Sequence, residues 1–344
     1  MILKRFGKEP TGERLERIKN AENTQNGTFQ NIEPTAVQPE DVSMFKIMKQ
    51  MLSRPKTVRP SSEIPHKKAD LLNINTKKPT VVWFGHSSYL LSFNGYNILV
   101  DPVFSGFASP FKFFGKSFPG TDLYQAEDFP QIDLLILTHD HYDHLDYKFL
   151  KQLKAKVLKI VTPLGVGEHL EYWNTQPDII TELNWNESEE IHQNLKVTAL
   201  PSRHFSGRNV KRNTSLWASF ALEWEGFKIY IGSDSGYSSE FQEIGEKFKE
   251  FDLAFLECGQ YGKYWPQIHM FPEETVKAAK DLNTKILFPV HWGKFVLSVH
   301  PWNEPIRRLM AETRIQKQEV VSPRIGEAYV LGEQFSQEEW WNFE

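Results

Sequence analysis

Cysteine is nearly missing from this chain: Cys258 stands alone among 344 residues. That excludes an internal disulfide framework and any cysteine-based zinc knuckle, and it fits a reducing compartment. A metal held here has to use histidine and carboxylate. Long apolar runs are missing too. No stretch reaches the ~18 to 20 uninterrupted apolar residues of a membrane-spanning helix. The opening segment MILKRFGKEPTGERLERIKN is charged from its fourth residue and has no apolar core of a secretory signal. The expected location is cytoplasmic.

A large charge excess is absent as well, with 40 Lys/Arg against 44 Asp/Glu, but the balance is uneven along the chain. Residues 1–78 carry 15 basic and 9 acidic side chains, whereas the remainder carries 25 and 35. An acidic body binds nucleic-acid backbones poorly, so no nucleic-acid partner is expected. The basic arm suits peripheral contact with an anionic surface such as the inner face of a membrane. Hydrophobic residues at 40%, with 25 Phe, are enough for a substantial core and exclude a disordered chain.

Three regions follow from texture. Residues 1–78 contain six prolines, from Pro10 to Pro65, and little periodic hydrophobicity, so they read as an irregular extension packed over the body. The exception is MFKIMKQMLSRPKTVR, where Met44, Ile47, Met48, Met51 and Leu52 recur at helical spacing among five basic residues. Pro55 should end that helix, which either packs on the body or lies on anionic lipid. Residues 79–325 alternate short apolar runs with helical patterns, which indicates a layered α/β domain. Asn94-Gly95 marks a hairpin between the first two runs. Residues 326–344 form a tail containing Trp340 and Trp341.

The chemistry concentrates in Thr138-His139-Asp140-His141-Tyr142-Asp143-His144, directly after the apolar run 132–138. So many imidazoles and carboxylates in one loop have no packing use, since His and Asp are seldom buried without partners. A pair of divalent ions does need them. One motif cannot supply two coordination shells, and the remaining ligands sit where later strands end. His204 follows KVTALP, Asp234 follows FKIYIG, and His291 follows KILFPV. The expected ligand set is therefore His139, His141, Asp143, His144, His204, Asp234 and His291.

Taken in order, WFGHSSYLL, DPVFSGFASP, LTHDHYDHLD, ALPSRHFSGR, IGSDSGY, HMFPEET and PVHWGKF resemble the metallo-β-lactamase superfamily, and within it the branch of phospholipases D that hydrolyse N-acylphosphatidylethanolamine. The resemblance spans about residues 79–325. It implies a four-layer αββα sandwich and two zinc ions per chain, with manganese or iron as alternatives. His139, His141 and His204 would hold one ion, Asp143, His144 and His291 the other, and Asp234 would bridge them. A shared water would be acidified to hydroxide and attack a phosphodiester, releasing N-acylethanolamine and phosphatidic acid.

Asp143 would also orient the hydroxide. His269, which matches the branch's histidine in HMxPEE, would serve as general acid or substrate-orienting group. Asp101 and Asp140 are candidates for fixing the histidine tautomers, and His86 for a structural role beside the site. Phe104, Phe107, Phe111, Phe113 and Phe114, with Lys112, are the candidate substrate contacts, as an apolar wall with a cation for the headgroup. Packing beneath the extension is the other reading of those phenylalanines. A lactonase or other ester hydrolase is the alternative activity, a binuclear iron protein or a nuclease is disfavoured, and a homodimer is left open. Glu257 and Cys258, in FLECGQYGKYW, depart from the phospholipase pattern by their polarity.

Overall fold

The computed structural model describes residues 3–37, 43–74 and 77–343. The extension opens with α1 (Gly12–Lys19), a hairpin of β1 (Thr24–Gln25) and β2 (Thr28–Phe29), and α2 (Met44–Leu52). One sheet contains β3 (Thr80–Trp83), β4 (Tyr89–Phe93), β5 (Tyr96–Val100), β6 (Leu134–Ile136), β7 (Ile160–Pro163) and β8 (Ile180–Leu183). Between its parallel strands run α3 (Tyr147–Leu153) and α4 (Gly167–Tyr172). The other sheet contains β9 (Ser188–His192), β10 (Leu195–Leu200), β11 (Ser219–Trp224), β12 (Phe227–Ile231), β13 (Phe251–Glu257), β14 (Thr284–Val290) and β15 (Glu319–Val320). Its helices are α5 (Glu240–Phe248), α6 (Pro272–Asp281) and α7 (Glu304–Gln316), and β16 (Ala328–Val330) returns to the first sheet.

Both sheets have seven strands, ordered β16-β3-β4-β5-β6-β7-β8 and β15-β14-β13-β12-β11-β10-β9. Each begins as an antiparallel meander and continues in parallel: β16 to β5 pair antiparallel and β5 to β8 parallel. Likewise, β9 to β12 pair antiparallel and β12 to β15 parallel. Strand periodicity sorts the core. Val81, Trp83, Tyr89 and Leu91 point between the sheets, where Tyr89 stacks on Phe255 at 3.9 Å. Val82, Leu90 and Leu99 point outward, under Phe149, Leu150 and Leu153 of α3 and Leu170 of α4. The result is the expected four-layer αββα sandwich. At Asn94-Gly95 both residues take positive φ, 49° and 78°, as the two-residue turn between β4 and β5 requires.

The extension is more regular than its sequence suggests. GERLERIK offers a helix only one buried apolar residue, Ile18, so periodicity does not reveal α1. Tertiary pairing secures it: the Arg14 guanidinium meets Glu168, Glu171 and Glu182 at 2.5–2.7 Å. In α2, Ser43 caps the N-terminus and the helix stops at Leu52, because the residue before Pro55 is driven out of the helical region. Residues 38–42 and the side chain of Met44 lie outside the described residues. The sequence also hides β8 and β9, since ITEL and SEEIH contain no apolar run; β9 is a sheet edge with alternate residues exposed.

At the other end, Trp340 and Trp341 are buried. Trp340 stacks on Trp292 at 5.2 Å and approaches Trp83 at 6.3 Å. No helix among the described residues is long and apolar enough to cross a membrane.

Candidate active site

The seven residues expected as ligands converge, each from beyond the C-terminal end of a strand. His139, His141, Asp143 and His144 come from the loop after β6, His204 from β10, Asp234 from β12 and His291 from β14. Nε2 of His139 and Nε2 of His204 lie 3.0 and 3.3 Å from Nδ1 of His141. The Asp234 carboxylate is 3.8 Å from both of those Nε2 atoms. The same oxygen, Oδ2, reaches His144 Nε2 at 3.2 Å, and the other oxygen reaches His291 Nδ1 at 2.9 Å. Asp234 thus adjoins both groups.

This donor set fits metal. Four ligands ~2.0–2.1 Å from a tetrahedral zinc stand about 3.3–3.4 Å from one another, which is close to the observed nitrogen–nitrogen spacing. The donor atoms of His139, His141, His204 and Asp234 all lie within 4.8 Å of each other, as do those of His86, Asp143, His144 and His291. Nε2 of His291 is buried with no hydrogen-bond partner, which a protein avoids unless a ligand satisfies it.

Surrounding groups aim the rings. Asp101 accepts from His144 Nδ1 at 2.7 Å and from the Thr138 hydroxyl at 2.6 Å, while that hydroxyl lies 3.0 Å from His139 Nδ1. His204 Nδ1 donates to the Ile268 carbonyl at 2.9 Å. Each contact leaves Nε2 free to face the centre. His86 donates to Asp143 at 2.9 Å, a supporting place beside the ligands. Three residues here hold left-handed backbone, His86 (φ 55°), Asp101 (39°) and His291 (66°), at a cost of about 1–3 kcal/mol each that the surrounding contacts sustain.

Asp140 has a different role from the one expected. It accepts from His169, Ser215 and the Gly207 N–H, and touches no ligand imidazole. It ties the loop after His204 to the body.

Burial drives His139 and His204 well toward their neutral, ligating form. Burial opposes the charge on Asp234, yet His144 and His291 hold that carboxyl well below its usual range.

His269 lies beside this cluster, its ring 5.1 Å from those of His204 and His291. Rather than capping α6, it directs Nδ1 to Glu257 at 2.7 Å. Burial lowers its pKa, but the facing Glu257, whose own carboxyl burial pushes up, more than compensates and raises it above the ordinary imidazole value. Glu257 is fully buried at the end of β13 and also accepts from the Ser235 N–H at 2.7 Å, next to Asp234. Its signal in the sequence was one carboxylate closing an apolar strand.

A cavity of about 290 Å³ opens over the centre, and its apolar wall differs from the expected one. Ile47 and Met51 of α2 line it with Phe205, Trp265, Ile268 and Leu297. Arg212 stands at the same cavity, its guanidinium 5.2 Å above the Phe205 ring. Phe104, Phe107, Phe111, Phe113, Phe114 and Lys112 do not line it. Asp146 explains this, because its carboxylate takes the N–H groups of Phe104 and Ser105 and draws that loop against α3. Phe104 consequently packs on Phe84, Phe129 and Phe149, while Phe111, Lys112, Phe113 and Phe114 are exposed.

A model of the beta-lactamase superfamily domain matches residues 96–292. The chain belongs to the metallo-β-lactamase superfamily. Within that superfamily it is a metal-dependent hydrolase in class. It is 38% identical over 310 residues to an uncharacterised Mycobacterium tuberculosis protein, covering 89% of this chain and 83% of that one. It is 34% identical over 256 residues to the mitochondrial N-acyl-phosphatidylethanolamine-hydrolyzing phospholipase D of Saccharomyces cerevisiae, covering 71% of this chain and 54% of that protein. The metallo-β-lactamase fold is shared with Igni18, a metallo hydrolase of Ignicoccus hospitalis, at a TM-score of 0.56 and 20% identity over 75% of this chain and all of that one.

Proposed function

We propose that this metallo-β-lactamase-fold chain is a binuclear zinc phosphodiesterase of phospholipase D type, releasing N-acylethanolamine and phosphatidic acid from N-acylated phosphatidylethanolamine. The carrying observation is one cavity that joins the two ligand groups to an apolar wall and the Arg212 guanidinium. Ile47, Met51, Phe205 and Leu297 suit an acyl chain, and Arg212 suits the phosphodiester anion. His139, His141, His204 and Asp234 would hold one ion, and Asp143, His144, His291 and Asp234 the other. When bound, the ions supply an acidified water and offset the charge that grows on the phosphoryl oxygens.

The chain's own groups do the rest. Asp143, fixed by His86, orients the attacking water. His269, kept protonated by Glu257, gives its proton to the departing alkoxide oxygen of the ethanolamine. The relatives named as N-acyl-phosphatidylethanolamine-hydrolysing enzymes support this choice of substrate, though this chain spans only 54–63% of their lengths.

The test pairs metal content by mass spectrometry with hydrolysis of N-acylated phosphatidylethanolamine, a bis-aryl phosphodiester and a lactone, before and after chelation. About two zinc ions per chain and chelator-sensitive release of N-acylethanolamine are expected. Lactone turnover without phosphodiester turnover would replace this reading with an ester hydrolase. Less than one ion per chain after reconstitution would overturn it.

A further inference from the structure

The region matched as superfamily domain begins at residue 96, yet a residue far upstream grips a candidate ligand. The carboxamide of Asn31 donates to the His204 carbonyl at 2.7 Å and accepts from the His204 N–H at 3.0 Å. His204 lies beyond the end of β10, so no ladder partner serves those two backbone groups, and the residue is buried. Only a side chain that donates and accepts at a fixed spacing can pair both at once, as a neighbouring strand would.

Asn31 is itself held on both sides. Before it, the buried Phe29 donates its N–H to the Asn213 carbonyl at 2.9 Å. After it, the Arg203 guanidinium bonds the Thr35 hydroxyl and the Pro34 carbonyl and pairs with Glu33, and the Ala36 N–H donates to Gln267. The segment 29–36 is thus a strap fastened across the loop that carries His204.

We propose that Asn31 is a positioning residue of the metal centre: it fixes the His204 backbone so that Nε2 of that ring meets the ion shared with His139 and His141. The inference rests on the reading of His204 as a ligand. The Ile268 carbonyl sets the ring's rotation about its own axis, and Asn31 sets where the ring stands. Without Asn31, a buried N–H and a buried carbonyl lose their partners, and the loop relaxes to recover them elsewhere. The imidazole moves with the loop, and metal affinity falls as it does when ligand-orienting contacts are removed. On this account the extension is a working part of the centre.

The experiment measures zinc affinity of the full chain by competition with a chromophoric chelator, together with amide hydrogen exchange of the metal-free protein. Asn31→Leu, close in shape, removes both hydrogen bonds. Asn23→Leu is the control, breaking a carboxamide bond from the same extension to the body, between the Asn23 and Asn184 side chains, that touches no candidate ligand. Asn31→Leu is expected to weaken zinc binding by about 10- to 100-fold and to speed exchange across residues 202–206, whereas Asn23→Leu leaves affinity within about twofold. Equal losses in the two variants would mean general loosening of the extension and would overturn the proposal. So would unchanged affinity or exchange in Asn31→Leu. If that variant does not fold, Asn31→Ala is judged by the same two readouts. His204→Ala separates the two levels of the argument. If it leaves zinc number and affinity unchanged, the ligand reading falls and this inference with it; if it lowers them while Asn31→Leu does not, this inference alone falls.

Discussion

The two sheets share one pairing pattern but deliver their chemistry differently. The first concentrates four expected ligands in the single loop 139–144, where Asp101 supports His144 directly and His139 through Thr138, and His86 supports Asp143. The second spreads His204, Asp234 and His291 over the ends of three strands, and adds Glu257 and His269. Both sets lean on remote contacts, Asp101 and His86 for the loop cluster and Asn31 for His204, but the dispersed set depends on strand register as well. Errors in the first half should act through a few residues, and errors in the second through many.

The strongest way to break this contrast is at Asp234, where the halves meet. Asp234→Asn should cut hydrolysis by about 10³-fold and lower metal content, read by turnover and metal analysis; full metal content with unchanged rate would remove the proposed bridging role. Next comes the proposed acid, His269. Glu257→Gln keeps an acceptor for Ser235 but removes the charge facing His269, so kcat should fall about 10²-fold with metal content intact. Equal falls in metal content and rate would instead make Glu257 a structural support. In the first half, Asp101→Asn should weaken zinc affinity about 10- to 100-fold, because two imidazoles lose their orienting carboxylate.

A smaller effect tests the extension's anchorage. Arg14→Ala leaves Glu168 with Lys8 alone and takes from Glu182 its cation, and should cost about 2–4 kcal/mol in urea unfolding. Burial opposes the Glu168 charge, but Lys8 and Arg14 hold its carboxyl below the usual value. That contribution is complete above the unfolded value, about 4.3, and is lost as pH falls through the lower folded one. The difference between wild type and variant should therefore shrink in acid. Smallest of all, Phe113→Ala, at 87% exposure, should change stability by under about 0.5 kcal/mol and activity by less than twofold.

Much of the centre was legible in the sequence because its residues announce themselves by type. A histidine or aspartate closing an apolar run is visible without coordinates, whereas the alternation of strands and helices gives only a layered α/β domain and the four-layer sandwich follows from the family resemblance. What stayed hidden depends on contacts across the chain. Nothing local to Asn31 distinguishes it from other carboxamides in a polar segment. The phenylalanines of 104–114 looked like a substrate wall by composition, but Asp146 decides where that loop lies. Ile47 and Met51 had the helical spacing of a buried face, and only the tertiary structure says that this face borders a cavity. Glu257 was visible as an oddity before its partner, His269, gave it meaning.

The tryptophans beside the centre have a practical consequence. Trp83 donates its indole N–H to the His86 carbonyl at 2.8 Å, and Trp292, next in sequence to His291, stacks on Trp340. Indoles this close couple their electronic transitions, so the near-ultraviolet dichroism of the cluster reports on the backbone of two residues at the centre. Metal loading could be titrated optically with no dye and no substrate, and a label placed near Trp340 would disturb the signal it was meant to supplement.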